Sequence, residues 1–81
     1  MDINNLYDLY LSASGVRTDT RSLKEGNLFF ALKGENFNGN LYAEKALDAG
    51  AIAAVIDDPK FEGANTVLVP NVLEALQELA R

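Results

Sequence analysis

The chain has 81 residues, a length that supports one hydrophobic core and therefore one function-bearing surface. Apolar residues make up 48% and charged residues 23%, a balance that favours a folded globule over disorder, and a net charge of -5 is a poor match to a nucleic-acid backbone. Cysteine and histidine are both absent, which removes disulfides, thiolate metal sites, the commonest zinc ligand and the commonest neutral-pH base.

Ile3, Leu6, Tyr7, Tyr10 and Leu11 recur at helical spacing and predict a first helix with that face buried, Asp2 as its N-cap and Gly15 beyond its end. The N-terminus has no basic, apolar signal pattern, and the longest apolar stretch, residues 51–56, falls far short of the ~20 residues that span a bilayer. A cytoplasmic chain without membrane insertion is expected. Val16-Arg17-Thr18-Asp19-Thr20-Arg21 alternates as a short strand, with Val16, Thr18 and Thr20 on one side and Arg17, Asp19 and Arg21 on the other.

After a turn around Gly26, Leu28-Phe29-Phe30-Ala31-Leu32 is a continuous apolar run, as expected of a central strand covered on both faces. It leads into the polar, glycine-punctuated loop Lys33-Gly34-Glu35-Asn36-Phe37-Asn38-Gly39-Asn40. Ala43, Ala46 and Leu47 predict a second helix, capped by Asn40 and ended by Gly50. Residues 52–56 form a second buried strand that stops at Asp57-Asp58-Pro59.

Thr66-Val67-Leu68-Val69 is a third apolar strand, blocked by Pro70. Asn71 and Glu74 resemble a capping box opening a helix with Val72, Leu73, Leu76, Leu79 and Ala80 inward. The chain ends inside that pattern, as expected of a segment that continues into a longer protein. Together these elements predict one α/β domain over residues 1–81, a small mostly parallel or mixed sheet with flanking helices. Loops at the carboxyl ends of its strands are where a ligand is expected, first of all the loop after Leu32.

No glycine-rich ATP-binding fingerprint of either common kind is present. Lys33-Gly34 places a cation beside a residue that lets the backbone approach a ligand, although a plain surface connection explains the same glycines. Thr18, Thr20 and Arg21 offer two hydroxyls and a charged fork suited to uracil carbonyls or a diphosphate, or simply a solvated strand edge. Asp57-Asp58 reads as an exposed turn and receives no role. The aromatic residues are mostly core candidates; Phe37, in the polar loop, is the one suited to stacking on a ligand.

Thr18-Asp19-Thr20-Arg21, the run from Lys24 through Gly26-Asn27-Leu28-Phe29-Phe30-Ala31-Leu32-Lys33-Gly34-Glu35-Asn36-Phe37-Asn38-Gly39, and Gly50-Ala51-Ile52-Ala53-Ala54-Val55 resemble the N-terminal domain of Mur ligases. That family's pattern reads T-D-S-R, then G-D-L-F-x-A-L-K-G-E-x-F-D-G-H, then G-A-x-A-x-V. Thr20, Asn38 and Asn40 depart from its usual serine, aspartate and histidine. Thr20 keeps a hydroxyl; no ionic role passes to the two asparagines.

The resemblance implies the first domain of a three-domain ligase of peptidoglycan-precursor synthesis, whose central domain carries ATP and magnesium and whose third helps bind the incoming amino acid or dipeptide. The family reaction forms an acyl phosphate on the precursor's terminal carboxylate, which the incoming amine attacks. Uracil, ribose and diphosphate contacts would fall on Thr18, Thr20, Arg21, Gly34, Glu35, Asn36 and Phe37. No catalytic residue, metal ligand or bound cofactor is expected within these 81 residues. Ala31-Leu32-Lys33-Gly34-Glu35 is closer to members that add D-alanyl-D-alanine to a UDP-N-acetylmuramoyl-tripeptide than to those adding the third stem-peptide residue. A stand-alone protein-interaction module and a small nucleotide-binding regulator are the competing readings.

Overall fold

A computed structural model describes residues 3–34 and 37–79, without the side chains of residues 3–5, 34 and 37. The expectations for Asp2, the Ile3 side chain and Ala80 lie outside the described residues. In chain order the elements are α1 (Ile3–Ser12), β1 (Gly15–Arg17), β2 (Asn27–Phe30), β3 (Lys33–Gly34), β4 (Phe37–Asn38), a 3-10 turn (Gly39–Tyr42), α2 (Ala43–Asp48), β5 (Ala53–Ile56), a second 3-10 turn (Pro59–Phe61), β6 (Thr66–Leu68) and α3 (Val72–Leu79).

Every residue of β2 and β5 is buried, so these apolar runs take the two central places of a four-stranded sheet ordered β1-β2-β5-β6. All three pairings are parallel, with Val16 beside Leu28, Phe29 beside Ala54 and Val55 beside Val67. Strand pleating sends alternate side chains to opposite faces. Leu28, Phe30, Ala53, Val55 and Val67 form one core with α1 and α3; Phe29, Ala31, Ala54 and Ile56 pack against Ala43 and Ala46 of α2. Those two alanines leave no bulk between helix and sheet, which brings α2 close to the strands.

Helices α1 and α3 bury most of the expected face, with Leu6, Tyr10, Val72, Leu76 and Leu79 inward, but Tyr7, Leu11 and Leu73 depart from it. On α1, Leu6 is buried with Leu9 and Tyr10 packed beside it, while Tyr7 and Leu11 face outward. The inward stripe runs through Leu6, Leu9, Tyr10 and Ala13, a spacing that satisfies one helix face and leaves Tyr7 and Leu11 on its flank. On α3 the buried residues are Val72, Ala75 and Leu79, and Leu73 is exposed. The N-cap half of the expected capping box is present there: the Glu74 backbone N–H donates to Asn71 Oδ1 at 3.0 Å.

Parallel neighbours usually need a crossover of a dozen or more residues, most often a helix. The β1-to-β2 connection instead runs through residues 18–26 without one. Its Leu23 packs on the Phe29 core, so the connection travels over the same sheet face as α2. Leaving β2, Ala31 N–H donates to Val55 O at 2.9 Å, after which the chain folds back through the antiparallel pair β3-β4. Gly39 closes that excursion by donating its N–H to Leu32 O at 2.8 Å, and a Cβ there would lie 2.5 Å from the same oxygen.

Candidate ligand-binding site

The strand expected through Arg21 stops at Arg17, because polar side chains give the following backbone other partners. Asp19 Oδ1 accepts from the Ser22 N–H at 3.0 Å and from Ser22 Oγ at 3.1 Å, an Asx-type closure. Arg17 Nε donates to Ser22 O at 3.3 Å and its Nη1 to Val16 O at 2.8 Å. Thr18 and Thr20 therefore sit on a tied loop, not on one face of a strand. The Ser22 backbone and hydroxyl hold the Asp19 carboxyl below its ordinary range, and Arg21 adds to the effect.

Thr18, Asp19, Thr20 and Arg21 form one wall of a pocket of about 580 Å³. Phe29, Leu32 and Lys33, from β2 and its exit, line it as well, and Tyr42 and Lys45 close it from α2 and the turn before it. Among the described residues, neither Thr18 nor Thr20 spends its hydroxyl on a protein partner. Three cations and one carboxylate line the pocket of a chain whose net charge is -5, so positive charge gathers there against the overall balance. Volume, hydroxyls, aromatic surface and cations together suit a ligand with a planar polar ring and an anionic tail.

Of the residues expected at a binding site, Thr18, Thr20 and Arg21 thus share one pocket wall. Gly34 and Phe37 pair across β3 and β4, next to pocket-lining Lys33. Glu35 and Asn36, and the side chain of Phe37, lie outside the described residues. Tyr42 and Lys45 were not anticipated. Once Ala43 and Ala46 are read as the sheet-facing pair of α2, the positions one step before each, three apart, mark a neighbouring stripe of the same helix.

Two asparagine and aspartate expectations are corrected. Asn40 does not cap α2; Asn38 caps the preceding 3-10 turn by accepting from the Asn40 N–H at 3.0 Å. Asn40 is instead buried, its Nδ2 donating to Asp57 Oδ1 at 3.0 Å and to Asn38 Oδ1 at 2.8 Å, its Oδ1 accepting from the Asp57 N–H at 3.1 Å. Nor is Asp57 a bare turn residue. Its Oδ1 lies 3.0 Å from Lys33 Nζ, and its Oδ2 accepts a long 3.5 Å bond from the Val72 N–H that opens α3. Partial burial would raise this carboxyl's pKa, but the hydrogen bonds from Asn40, Lys33 and Val72 outweigh it and hold it below the ordinary range. Asp58 does behave as a turn residue, accepting from the Lys60 N–H at 3.0 Å.

A family model described as "Mur ligase family, catalytic domain" matches residues 12–81. The chain belongs to the Mur ligase family. Among its Mur ligase relatives, the UDP-N-acetylmuramoyl-tripeptide--D-alanyl-D-alanine ligase of Synechocystis sp. is 47% identical over 70 residues, covering 83% of this chain and 15% of that protein. The ligase of the same name from Bacillus subtilis is 45% identical over 71 residues, with the same coverages of 83% and 15%. The UDP-N-acetylmuramoyl-L-alanyl-D-glutamate--2,6-diaminopimelate ligase of Rickettsia typhi is 36% identical over 78 residues, 95% of this chain and 16% of its own length. In three dimensions the MurF ligase of Thermotoga maritima, solved in complex with ADP, superposes with a TM-score of 0.78 at 29% identity over 90% of this chain and 17% of that one. The Mur ligase chain described here therefore spans about 15% of the length of the curated relatives it matches. Among the described residues, no helix is long and apolar enough to cross a membrane.

Proposed function

We propose that this chain is the N-terminal substrate-binding domain of an ATP-dependent ligase that joins D-alanyl-D-alanine to UDP-N-acetylmuramoyl-tripeptide in the cytoplasm. The observation that carries the reading is the pocket: a hydroxyl-bearing loop, an aromatic wall and clustered cations converge at the carboxyl ends of β1 and β2, where a parallel sheet presents its ligand loops. The identities of 47% and 45% to two D-alanyl-D-alanine ligases favour that branch of the family.

In this role the domain binds and orients one end of its substrate. Thr18 and Thr20 offer hydroxyls to the uracil and ribose, Arg21 approaches the diphosphate, and Gly34, Glu35, Asn36 and Phe37 supply further contacts to the ligand. ATP and Mg²⁺ belong to the remainder of a longer ligase: the sequence has no phosphate-binding glycine motif, and the pocket's residues do not make one. The diaminopimelate ligase from Rickettsia typhi, aligned over 95% of the chain, supports a second reading in which the same domain serves addition of the third stem-peptide residue.

Two measurements test this. Amide shifts on titrating UDP should concentrate at residues 18–21 and 33–38, and silence there removes the substrate-binding role. Phosphate release by the full-length protein should require UDP-N-acetylmuramoyl-tripeptide and D-alanyl-D-alanine together. Dependence on the dipeptide precursor and a free amino acid would decide for the second reading.

A further inference from the structure

The three cations of the pocket are not equivalent. Lys33 Nζ lies 3.0 Å from Asp57 Oδ1, so its charge is balanced by a carboxylate that Asn40 and the Val72 N–H hold in place. Arg21 lies close enough to Asp19 to stabilise that carboxylate's ionised form. Among the described residues neither Arg21 nor Lys45 has a carboxylate within ion-pairing distance, and of the two Arg21 is the one that shares its loop with Asp19. Lys45 lines the pocket together with Thr18 and Thr20, one helical turn after Tyr42.

Building on the substrate-binding reading above, we infer that Lys45 is the residue that makes this pocket select phosphorylated nucleosides over bare ones. Lys33 is a tether: its ammonium fastens the exit of β2 to the end of β5 and contributes little net field. Lys45 supplies positive charge with no ion-pair partner among the described residues, and a phosphate entering the pocket meets it together with Arg21. An ammonium acting as a point charge needs no fixed geometry to do this, so arginine at the same place preserves the preference. The neutral part of the ligand, held by the threonine hydroxyls and apolar wall, does not sense the exchange.

The test uses the full-length protein carrying this chain, with calorimetric titration of uridine and of UDP into wild type, Lys45→Gln, Lys45→Arg and Lys33→Gln. Lys45→Gln should weaken UDP by about threefold to tenfold, the range of one partly exposed charge-assisted contact, with uridine unchanged. Raising the salt concentration should narrow that gap. Lys45→Arg should restore UDP affinity, and Lys33→Gln should lower the melting temperature more than it lowers the UDP-to-uridine preference. Unchanged UDP binding in Lys45→Gln, or a parallel loss of uridine, overturns the assignment while leaving the pocket's role intact. Failure of wild type to bind either nucleotide form would overturn both.

Discussion

Asn40 and Asp57 bond to each other twice: the Asn40 Nδ2 donates to the Asp57 carboxylate at 3.0 Å, and the Asp57 backbone N–H donates to the Asn40 carbonyl oxygen at 3.1 Å. Because Asn40 is 1% exposed, water cannot replace either bond if the amide is removed. Asn40→Leu keeps the branching of the side chain and leaves the Asp57 N–H without its partner. Chemical denaturation should show a loss of about 2 to 3 kcal/mol. Asn40→Asp should do worse at neutral pH, since it sets a second carboxylate against Asp57, and should recover as the solution is acidified; no difference between the two variants would remove the amide's assigned part.

The depressed pKa of Asp57 gives the fold a signed dependence on acid. A carboxyl whose folded pKa lies below its unfolded value contributes stability that is present above the unfolded pKa of about 3.9 and is lost as pH falls through the folded one. Wild type should therefore lose more stability than Asp57→Asn between pH 6 and pH 3, so that the two converge. Parallel curves from denaturant midpoints at the two pH values would show that the ion pair with Lys33 and the Asn40 bond do not reach the stability balance.

Thr20→Val retains the shape of the side chain and removes the hydroxyl. Since that hydroxyl has no protein partner among the described residues, the melting temperature of the domain should hold within about two to four degrees, the effect of ~0.5 kcal/mol or less. Affinity for UDP in the full-length protein should drop about fivefold, the worth of one net hydrogen bond. Equal affinities would take Thr20 out of the site.

Gly39 is where the backbone of the 3-10 turn touches the end of β2 most closely: an added Cβ would meet Leu32 O at 2.5 Å and Ala31 C at 2.7 Å, both main-chain atoms that have nowhere to go. Gly39→Ala should cost about 2 kcal/mol or more and should displace the β3-β4 hairpin, seen as amide shifts that spread from Lys33 to Asn38. Gly50→Ala tests a different constraint, a positive φ of 112° at the end of α2 with Glu25 Cα 2.9 Å from the new Cβ. Its shifts should instead centre on residues 24–27, opposite the pocket.

The architecture could be read from the sequence where one signal dominated. Residues 28–30 and 53–56 are apolar without interruption, and burial on both faces is the only arrangement that suits such runs. The Asn71 cap was equally legible, because its partner is only three residues away. Local rules misled where the same residue type serves two ends. Threonine's preference for strands extended β1 over Thr18 and Thr20, whereas Asp19 and Arg17 tie that backbone into a loop. Asn40 precedes a helix as a cap would, yet it is drawn inward by Asp57, a partner that only the tertiary fold brings near. Three of the nine pocket-lining residues, Thr18, Thr20 and Arg21, stand out in the sequence as a motif. Tyr42 and Lys45 carry no motif of their own and join the site only because Ala43 and Ala46 fix how α2 lies on the sheet.

The passage from β1 to β2 runs beside α2 without a helix of its own. A rod of ordinary girth laid along that route would fill the space beside α2; a thin strap, anchored by Leu23, leaves room there for the pocket. The hollow is thus the negative image of a structural member that this topology dispenses with, and lengthening residues 18–26 until they coil would seal it from within while leaving every strand in its place.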